Sequence, residues 1–133
     1  MKFSMLRHLA LSGLLTAGAA EADTVDDLLS EYRTQGASAF DSSNGKALWQ
    51  REYQLADGTE RACTNCHTND PRQPGRHAAT SKAIDPMAPS VNQERLTERR
   101  QVEKWFKRNC KWTLDRECTP QEKGDLLSFL RNR

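Results

Sequence analysis

The chain has 133 residues and a formal net charge of +2, with 20 Lys and Arg against 18 Asp and Glu. This length suits a single domain, and so small a net charge predicts no nucleic acid or other strongly charged partner. Only 36% of the residues are hydrophobic. That share is low for a self-sufficient core, so a bound apolar group is expected to supply part of the buried volume.

The first 22 residues are predicted to be a secretory signal peptide. Lys2 and Arg7 form a short basic region, positions 9 to 20 are almost wholly apolar or small, and Ala20-Glu21-Ala22 supplies a small-x-small cleavage site. The apolar run is too short for a membrane-spanning helix, although an uncleaved anchor is the alternative. We therefore expect a domain of residues 23–133, exported to the periplasm and without a permanent membrane anchor.

Two helices are predicted before the first cysteine. The first begins at Asp23 or Thr24 and ends at Gly36. The second follows Asp41-Ser42-Ser43 and runs from Gly45 to about Gln54. The first helix places its large apolar residues on one side: Val25, Leu28, Leu29 and Tyr32.

The segment Cys63-Thr64-Asn65-Cys66-His67 is a C-x-x-C-H, the attachment pattern of c-type haem. Two thiols at this spacing can each add to one haem vinyl group, and the imidazole that follows then becomes the proximal iron ligand. A thioredoxin-like dithiol would need a strand–helix–strand setting, and a zinc site would need a second close pair of ligands, whereas Cys110 and Cys118 are eight apart. The single motif predicts one haem c, attached through Cys63 and Cys66 with His67 on the iron.

Four of the five prolines lie between Thr68 and Asn92, which predicts an irregular loop that covers the porphyrin edge. Met87 in this loop is the one methionine left once the leader is removed, so it is a candidate sixth iron ligand. It lies only twenty residues after His67, which is tight for a chain that must round the haem edge, and packing on that edge is the favoured role. His77, in the same loop, is expected to be exposed.

A third helix is predicted from Leu96 to Asn109, with Thr97 as its cap. Val102, Trp105, Phe106 and Asn109 follow one stripe at i, i+3, i+4 and i+7. A carboxamide on an apolar stripe is costly unless something satisfies it, so Asn109 is a second candidate for the sixth ligand. The alternative is that Asn109 ends the helix and bonds to the backbone there.

Cys110 and Cys118 are not needed for haem attachment. In an exported protein two spare thiols most often pair, and free reactive thiols are the alternative. Thr119-Pro120-Gln121-Glu122 combines a capping box with proline at the first helical position and predicts a carboxy-terminal helix. No convincing strand is found. The predicted fold class is all-α.

Three stretches of the sequence resemble one family. They are the C-x-x-C-H motif, the loop at residues 83–90, and the run at residues 102–110 together with Glu117-Cys118-Thr119-Pro120. The chain resembles the SHP-type high-spin class I cytochromes c, which are related to cytochrome c″. The likeness implies a class I cytochrome c fold, a single domain whose loops wrap one covalent haem.

The resemblance also implies the roles of particular residues. In that family the residue just before the first extra cysteine is a labile sixth ligand, which leaves the iron on reduction and opens a site for oxygen or another small molecule. The residue at that position is Asn109, and the family's disulfide falls on Cys110 and Cys118. The position of Met87 is not an axial ligand in the family.

The function that follows is electron transfer combined with reversible binding of oxygen, nitric oxide or carbon monoxide by the reduced protein. The family implies a dihaem cytochrome c as redox partner. The rivals are a plain low-spin carrier with His67 and Met87 as ligands, an enzyme that reduces oxygen, peroxide or a nitrogen oxide, and a gas or redox sensor. No obvious catalytic acid supports an enzyme, so whether the protein is one stays open.

Two groups of basic residues have candidate roles. The exposed group on the third helix either solvates the outer face or docks an acidic redox partner: Lys104, Lys107 and Arg108. The group around the proline-rich loop is a candidate to neutralise the haem propionates: Arg72, Arg76 and Lys82.

Overall fold

The computed structural model describes residues 20–133, with side chains from Thr24 onward. The predicted signal peptide at residues 1–22 lies almost wholly outside this part of the chain and stays a prediction. Four α-helices dominate the described residues: α1 (Ala20–Thr34), α2 (Ser42–Gln50), α3 (Arg99–Leu114) and α4 (Pro120–Leu130). A short 3-10 turn spans Cys63–Asn65.

Four short strands correct the prediction that the chain has none. They form two antiparallel ribbons, β1 (Tyr53–Gln54) with β2 (Glu60–Arg61), and β3 (Gly75–Arg76) with β4 (Ala83–Ile84). Each strand has two residues, which is too few for an alternating pattern to be visible in the sequence. The first ribbon also explains why α2 ends at Gln50, four residues before its predicted end.

The predicted caps of α2 and α4 are present. The Asp41 carboxylate accepts from the Ser43 N–H at 2.6 Å and begins α2. At α4 the Thr119 hydroxyl accepts from the Glu122 N–H at 3.2 Å, while the Glu122 carboxylate accepts from the Thr119 N–H at 2.8 Å. This reciprocal pair is the capping box, with Pro120 at the first helical position.

The start of α3 differs from the prediction. The helix begins at Arg99, and its cap is Glu98, whose carboxylate accepts from the Arg100 N–H at 3.2 Å. Leu96 has a positive φ of 64°, so the chain turns just before Thr97 and does not enter the helix there. A carboxylate at this position also interacts favourably with the positive end of the helix dipole.

Helices α2 and α4 cross in backbone contact at the centre of the domain. A Cβ built on Gly45 would lie 2.0 Å from the Asp125 carbonyl oxygen and 2.8 Å from the Phe129 Cβ. The buried Asp125 carboxylate accepts from the Asp41 N–H at 2.7 Å and ties the start of α2 to α4. Helix α1 packs on α4 through the apolar side that the sequence predicted: Val25, Leu28, Leu29 and Tyr32.

Helix α3 is held beside the segment that leads into the C-x-x-C-H motif. Arg61, in β2, donates to the Trp112 carbonyl at 2.9 Å, and its guanidinium lies 5.1 Å from the centre of the Trp112 ring. Arg61 also pairs with Asp57 in the preceding turn. These contacts set the position of α3 relative to the motif.

Candidate haem-binding site

The C-x-x-C-H segment is folded into a tight turn. Its 3-10 turn begins after Ala62, whose N–H donates to the Asn65 side-chain oxygen at 2.6 Å. The His67 N–H donates to the Cys63 carbonyl at 3.0 Å. The turn brings both thiols and the imidazole to the wall of one cavity.

That cavity has a volume of about 310 Å³, and its lining residues are spread along the chain from Leu48 to Leu130. Its wall holds both residues predicted to attach the haem and all three favoured or candidate iron ligands: Cys63, Cys66, His67, Met87 and Asn109. The basic residues suggested for the haem propionates, Arg72, Arg76 and Lys82, are not on this wall. Much of the remaining wall is apolar and comes from α2, α3 and α4: Leu48, Trp49, Val102, Phe106, Leu126, Leu127 and Leu130. An apolar chamber with a few polar groups is the usual form of a cofactor site.

The His67 imidazole is kept neutral by its surroundings. Burial lowers its pKa to about 4, and the positive charge of Arg95 acts in the same direction. A neutral imidazole has a free lone pair, which is the form that binds iron. The ring lies 5.3 Å from the Trp49 ring, and the Trp49 indole N–H donates to the Thr68 carbonyl at 2.9 Å. Trp49 thereby connects α2 to the residue that follows the motif.

The two motif cysteines are free and lie in different surroundings. Burial raises the pKa of the Cys63 thiol to about 11, while a hydrogen bond from the Thr113 hydroxyl acts in the opposite direction. The Cys66 sulfur accepts from the Ala78 N–H at 3.3 Å. Thr113 is only 2% exposed and was not singled out by the sequence, because one threonine on a helix carries no pattern.

Glycine at position 75 lets β3 lie directly on the motif. A Cβ there would be 2.1 Å from the Cys66 carbonyl oxygen and 3.1 Å from the His67 Cα. The neighbouring Arg76 N–H donates to the same Cys66 carbonyl at 2.8 Å. The backbone of the motif is therefore held in place from outside the cavity.

Asn109 lies within α3, which continues for five more residues to Leu114. The alternative role of ending the helix is therefore wrong. The side chain is half-buried and lines the cavity one helical turn before Thr113. The next residue, Cys110, forms the expected disulfide with Cys118, with the two Cα atoms 5.5 Å apart. This bond links α3 to the start of α4 beside Asn109.

The residues present fit a covalently attached haem. Two free thiols and a neutral imidazole share an apolar chamber, and polar side chains from α3 reach the same chamber. Within residues 20–133 no three His, Cys, Asp or Glu side chains are grouped closely enough to hold a metal ion by themselves. The donors suit a metal that arrives inside a porphyrin better than a bare ion.

Two relatives align with nearly the whole chain. Cytochrome c-type protein SHP of Cereibacter sphaeroides is 37% identical over 127 residues, which cover 95% of this chain and 98% of that protein. Cytochrome c″ of Methylophilus methylotrophus is 33% identical over 130 residues, covering 92% and 90%. The chain belongs to the SHP and cytochrome c″ family.

Solved structures of this family have the same fold. Oxidised SHP, described as an oxygen-binding cytochrome c, superposes with a TM-score of 0.74 at 35% identity, over 82% of this chain and 96% of that one. Oxidised cytochrome c″ from Methylophilus methylotrophus gives 0.72 at 32% identity, over 81% and 93%. A family model described as a domain of unknown function (DUF1924) matches residues 35–130. The resemblance and the all-helical cytochrome c fold are confirmed.

The loop that carries Met87 is anchored next to the motif in this SHP-family chain. The Met87 and Ala88 N–H groups both donate to the Pro71 carbonyl, at 2.8 and 3.0 Å, and Pro71 follows His67 by four residues. The Met87 side chain is half-buried and packs against the hydrophobic core. His77 is exposed, as predicted, and its Nδ1 accepts from the Ala79 N–H at 3.2 Å.

Among residues 20–133, no helix is long and apolar enough to cross a bilayer.

Proposed function

We propose that this protein is a periplasmic monohaem c-type cytochrome that transfers electrons and, when reduced, binds oxygen or another diatomic ligand reversibly. The observation that carries the proposal is the placement of Asn109 on the same cavity wall as His67 and the two free thiols. A carboxamide there gives the site a donor weak enough to be exchanged. His67 is the proximal ligand, and Cys63 and Cys66 hold the haem.

The haem supplies a one-electron couple and, in the ferrous state, an affinity for diatomic gases. The chain supplies the attachment and the surroundings. The Cys63 and Cys66 sulfurs would hold the haem through thioether bonds, and hydrogen bonds from the Ala78 N–H to Cys66 and from the Thr113 hydroxyl to Cys63 keep the two sulfurs in position. The indole of Trp49 packs against the imidazole of His67 and limits its rotation.

Asn109 would be a weak, exchangeable ligand of the oxidised haem iron. Its carboxamide oxygen is a hard, weak donor that suits the higher charge of ferric iron better than ferrous iron. Reduction would therefore weaken its hold, and a small molecule could take the place of the side chain. Ligand binding and redox state are then linked equilibria. The disulfide at Cys110 ties the backbone of α3, next to Asn109, to the segment that leads into α4.

The relatives support this assignment. One solved homologue is described as an oxygen-binding cytochrome c, and the solution structure of cytochrome c″ is described as giving insight into haem-ligand detachment. Oxygen binding needs a position on the iron that a small molecule can enter, and detachment of a haem ligand would provide one. The alternative is an ordinary low-spin carrier with Met87 as sixth ligand, and Met87 does line the same cavity. Its backbone bond to Pro71, close to His67, favours a packing role instead.

Haem attachment is tested on the mature holoprotein. The denatured, purified chain should keep its colour, show the pyridine haemochrome spectrum of two thioether bonds, and carry the mass of one haem. Cys63→Ala with Cys66→Ala should give a colourless chain. A wild-type protein without covalent haem would overturn the whole proposal.

The distal ligand is tested with Asn109→Ala, and Asn92→Ala is the matched control. Asn92 also lines the cavity, but its amide donates to the Pro86 carbonyl at 3.1 Å. Asn109→Ala should change the oxidised optical and electron paramagnetic spectra, whereas the control should not. Unchanged oxidised spectra in Asn109→Ala would remove it from the coordination sphere. A low-spin reduced wild-type that ignores carbon monoxide, and becomes reactive only in Met87→Ala, would establish the rival.

Export and the redox partner need separate tests. Cell fractionation should place the chain in the periplasm, and the mature amino terminus should begin near Asp23. A dihaem cytochrome c from the same cell should reduce the protein rapidly. Steady-state turnover with oxygen or peroxide decides the enzymatic alternative.

A further inference from the structure

The wall of the haem cavity contains a guanidinium that is held in a fixed position. Among the described residues, Arg95 is the only lysine or arginine that lines this cavity. Its Nε–H donates to the Pro86 carbonyl at 2.9 Å, and one Nη2–H donates to the Asp85 carbonyl at 2.9 Å. The side chain is half-buried. The group is therefore preorganised at the edge of the site.

These two bonds leave most of the binding capacity of Arg95 unused. A guanidinium has five N–H donors, so three remain. Both acceptors are neutral carbonyls, and none of the seven ion pairs among the described residues includes Arg95. A partly desolvated cation with free donors is costly unless it is paired with an anion. The planar fork of N–H groups in a guanidinium matches the geometry of a carboxylate.

We propose that the Arg95 guanidinium binds a propionate carboxylate of the haem, an inference that rests on the proposed haem attachment. None of the three basic residues that the sequence suggested for this role lines the cavity. Arg72 pairs with Asp70 at 2.9 Å, and Arg76 donates to the Ser81 carbonyl at 2.7 Å. Lys82 is exposed and does not line the cavity.

Acidic residues share the cavity wall with Arg95: Asp85, Glu94, Glu98 and Glu122. Glu122 is paired with Arg116, and the other three carboxylates would repel a propionate. Glu98 is turned toward the amino terminus of α3, where it caps the helix. Arg95 supplies the positive charge that offsets this repulsion. Because the same charge favours the electron-rich state of the haem, Arg95 raises the reduction potential of the protein.

The experiment compares three variants of the holoprotein: Arg95→Gln, Arg95→Lys and Arg72→Gln. Both Arg95 variants lose the planar fork that joins the Asp85 and Pro86 carbonyls, so any loosening of that loop is common to them. They differ in charge. Arg72→Gln removes an exposed charge from the neighbouring loop and serves as the control.

The midpoint potential should fall in Arg95→Gln, fall less in Arg95→Lys, and change least in Arg72→Gln. The propionate bending band in the resonance Raman spectrum should shift in Arg95→Gln and stay unshifted in Arg72→Gln. Equal potentials in Arg95→Gln and Arg95→Lys, or an unshifted propionate band in Arg95→Gln, would overturn the inference and leave Arg95 as a loop anchor alone. Failure of the proposed function is separate, since it shows as a wild-type chain without covalent haem.

Discussion

Replacement of Gly45 by alanine tests the close backbone contact between α2 and α4. The new methyl group would lie 2.0 Å from the Asp125 carbonyl oxygen and 2.8 Å from the Phe129 Cβ. Ordinary contacts at such atoms are about 3.4 Å or longer, so α2 and α4 must separate by more than 1 Å. Backbone lies on both sides of the clash, and no rotamer change can relieve it.

The expected cost follows from two opposing effects. Overpacking of this kind destabilises proteins by about 1–3 kcal/mol, and the upper end applies where a backbone atom is struck. Alanine regains up to about 1 kcal/mol through its higher helix propensity. The net loss is about 2 kcal/mol, which corresponds to a fall in Tm of about 8 °C for a domain of this size.

Chemical and thermal unfolding of the holoprotein, followed by far-ultraviolet circular dichroism, measures this loss. Ala47→Gly is the matched control, because Ala47 is exposed on the same helix and its replacement reports the propensity effect alone. A Gly45→Ala protein as stable as the wild type, or more stable, would refute the reasoning. It would mean that the two helices are free to separate at no cost.

Three other contacts, at Gly75, at the disulfide and at Glu122, each give a testable outcome. Gly75→Ala should lower the yield of covalent haem and alter the oxidised spectrum, because the methyl group meets the backbone of the attachment motif; a normal yield with wild-type spectra would contradict this. Replacing Cys110 and Cys118 by serine should cost about 2–3 kcal/mol of unfolding free energy through loop entropy, and denaturant titration checks it. Arg116 hydrogen bonds hold the pKa of Glu122 below its usual 4.5, so the ionised carboxylate stabilises the fold above that pH and the effect fades as pH falls through the lowered value. The stability difference between wild type and Glu122→Gln, at most about 1 kcal/mol, should therefore shrink in acid.

The features that could be predicted from the sequence are those written in short local patterns. The C-x-x-C-H motif, the capping box at Thr119 and the apolar side of α1 each lie within a few helical turns of chain. Spacing and residue type are enough to identify such features. The disulfide partners are predicted because Cys110 and Cys118 are the two cysteines not needed for haem attachment.

The features that could not be predicted depend on distant segments meeting in space. Glycine is required at position 45 only because α4 crosses there, and at position 75 only because β3 lies on the motif. Thr113 and Arg95 belong to no sequence motif, and only the fold shows that both line the cavity. The predicted start of α3 at Thr97 is wrong because threonine is a favoured cap and glutamate is not, whereas the turn at Leu96 places the helix start after Glu98.

The disulfide between Cys110 and Cys118 constrains how the protein matures, because disulfide formation and haem attachment both use cysteine thiols. In the proposed periplasmic location thiols are oxidised, and the chemistry that closes this bridge would as readily join Cys63 to Cys66. Thioether formation needs reduced sulfur, so the cell must discriminate between two cysteine pairs on one chain. Cys110 and Cys118 are only 4% and 6% exposed, so the finished bridge is sheltered from the reductant that would keep the other pair ready for its cofactor.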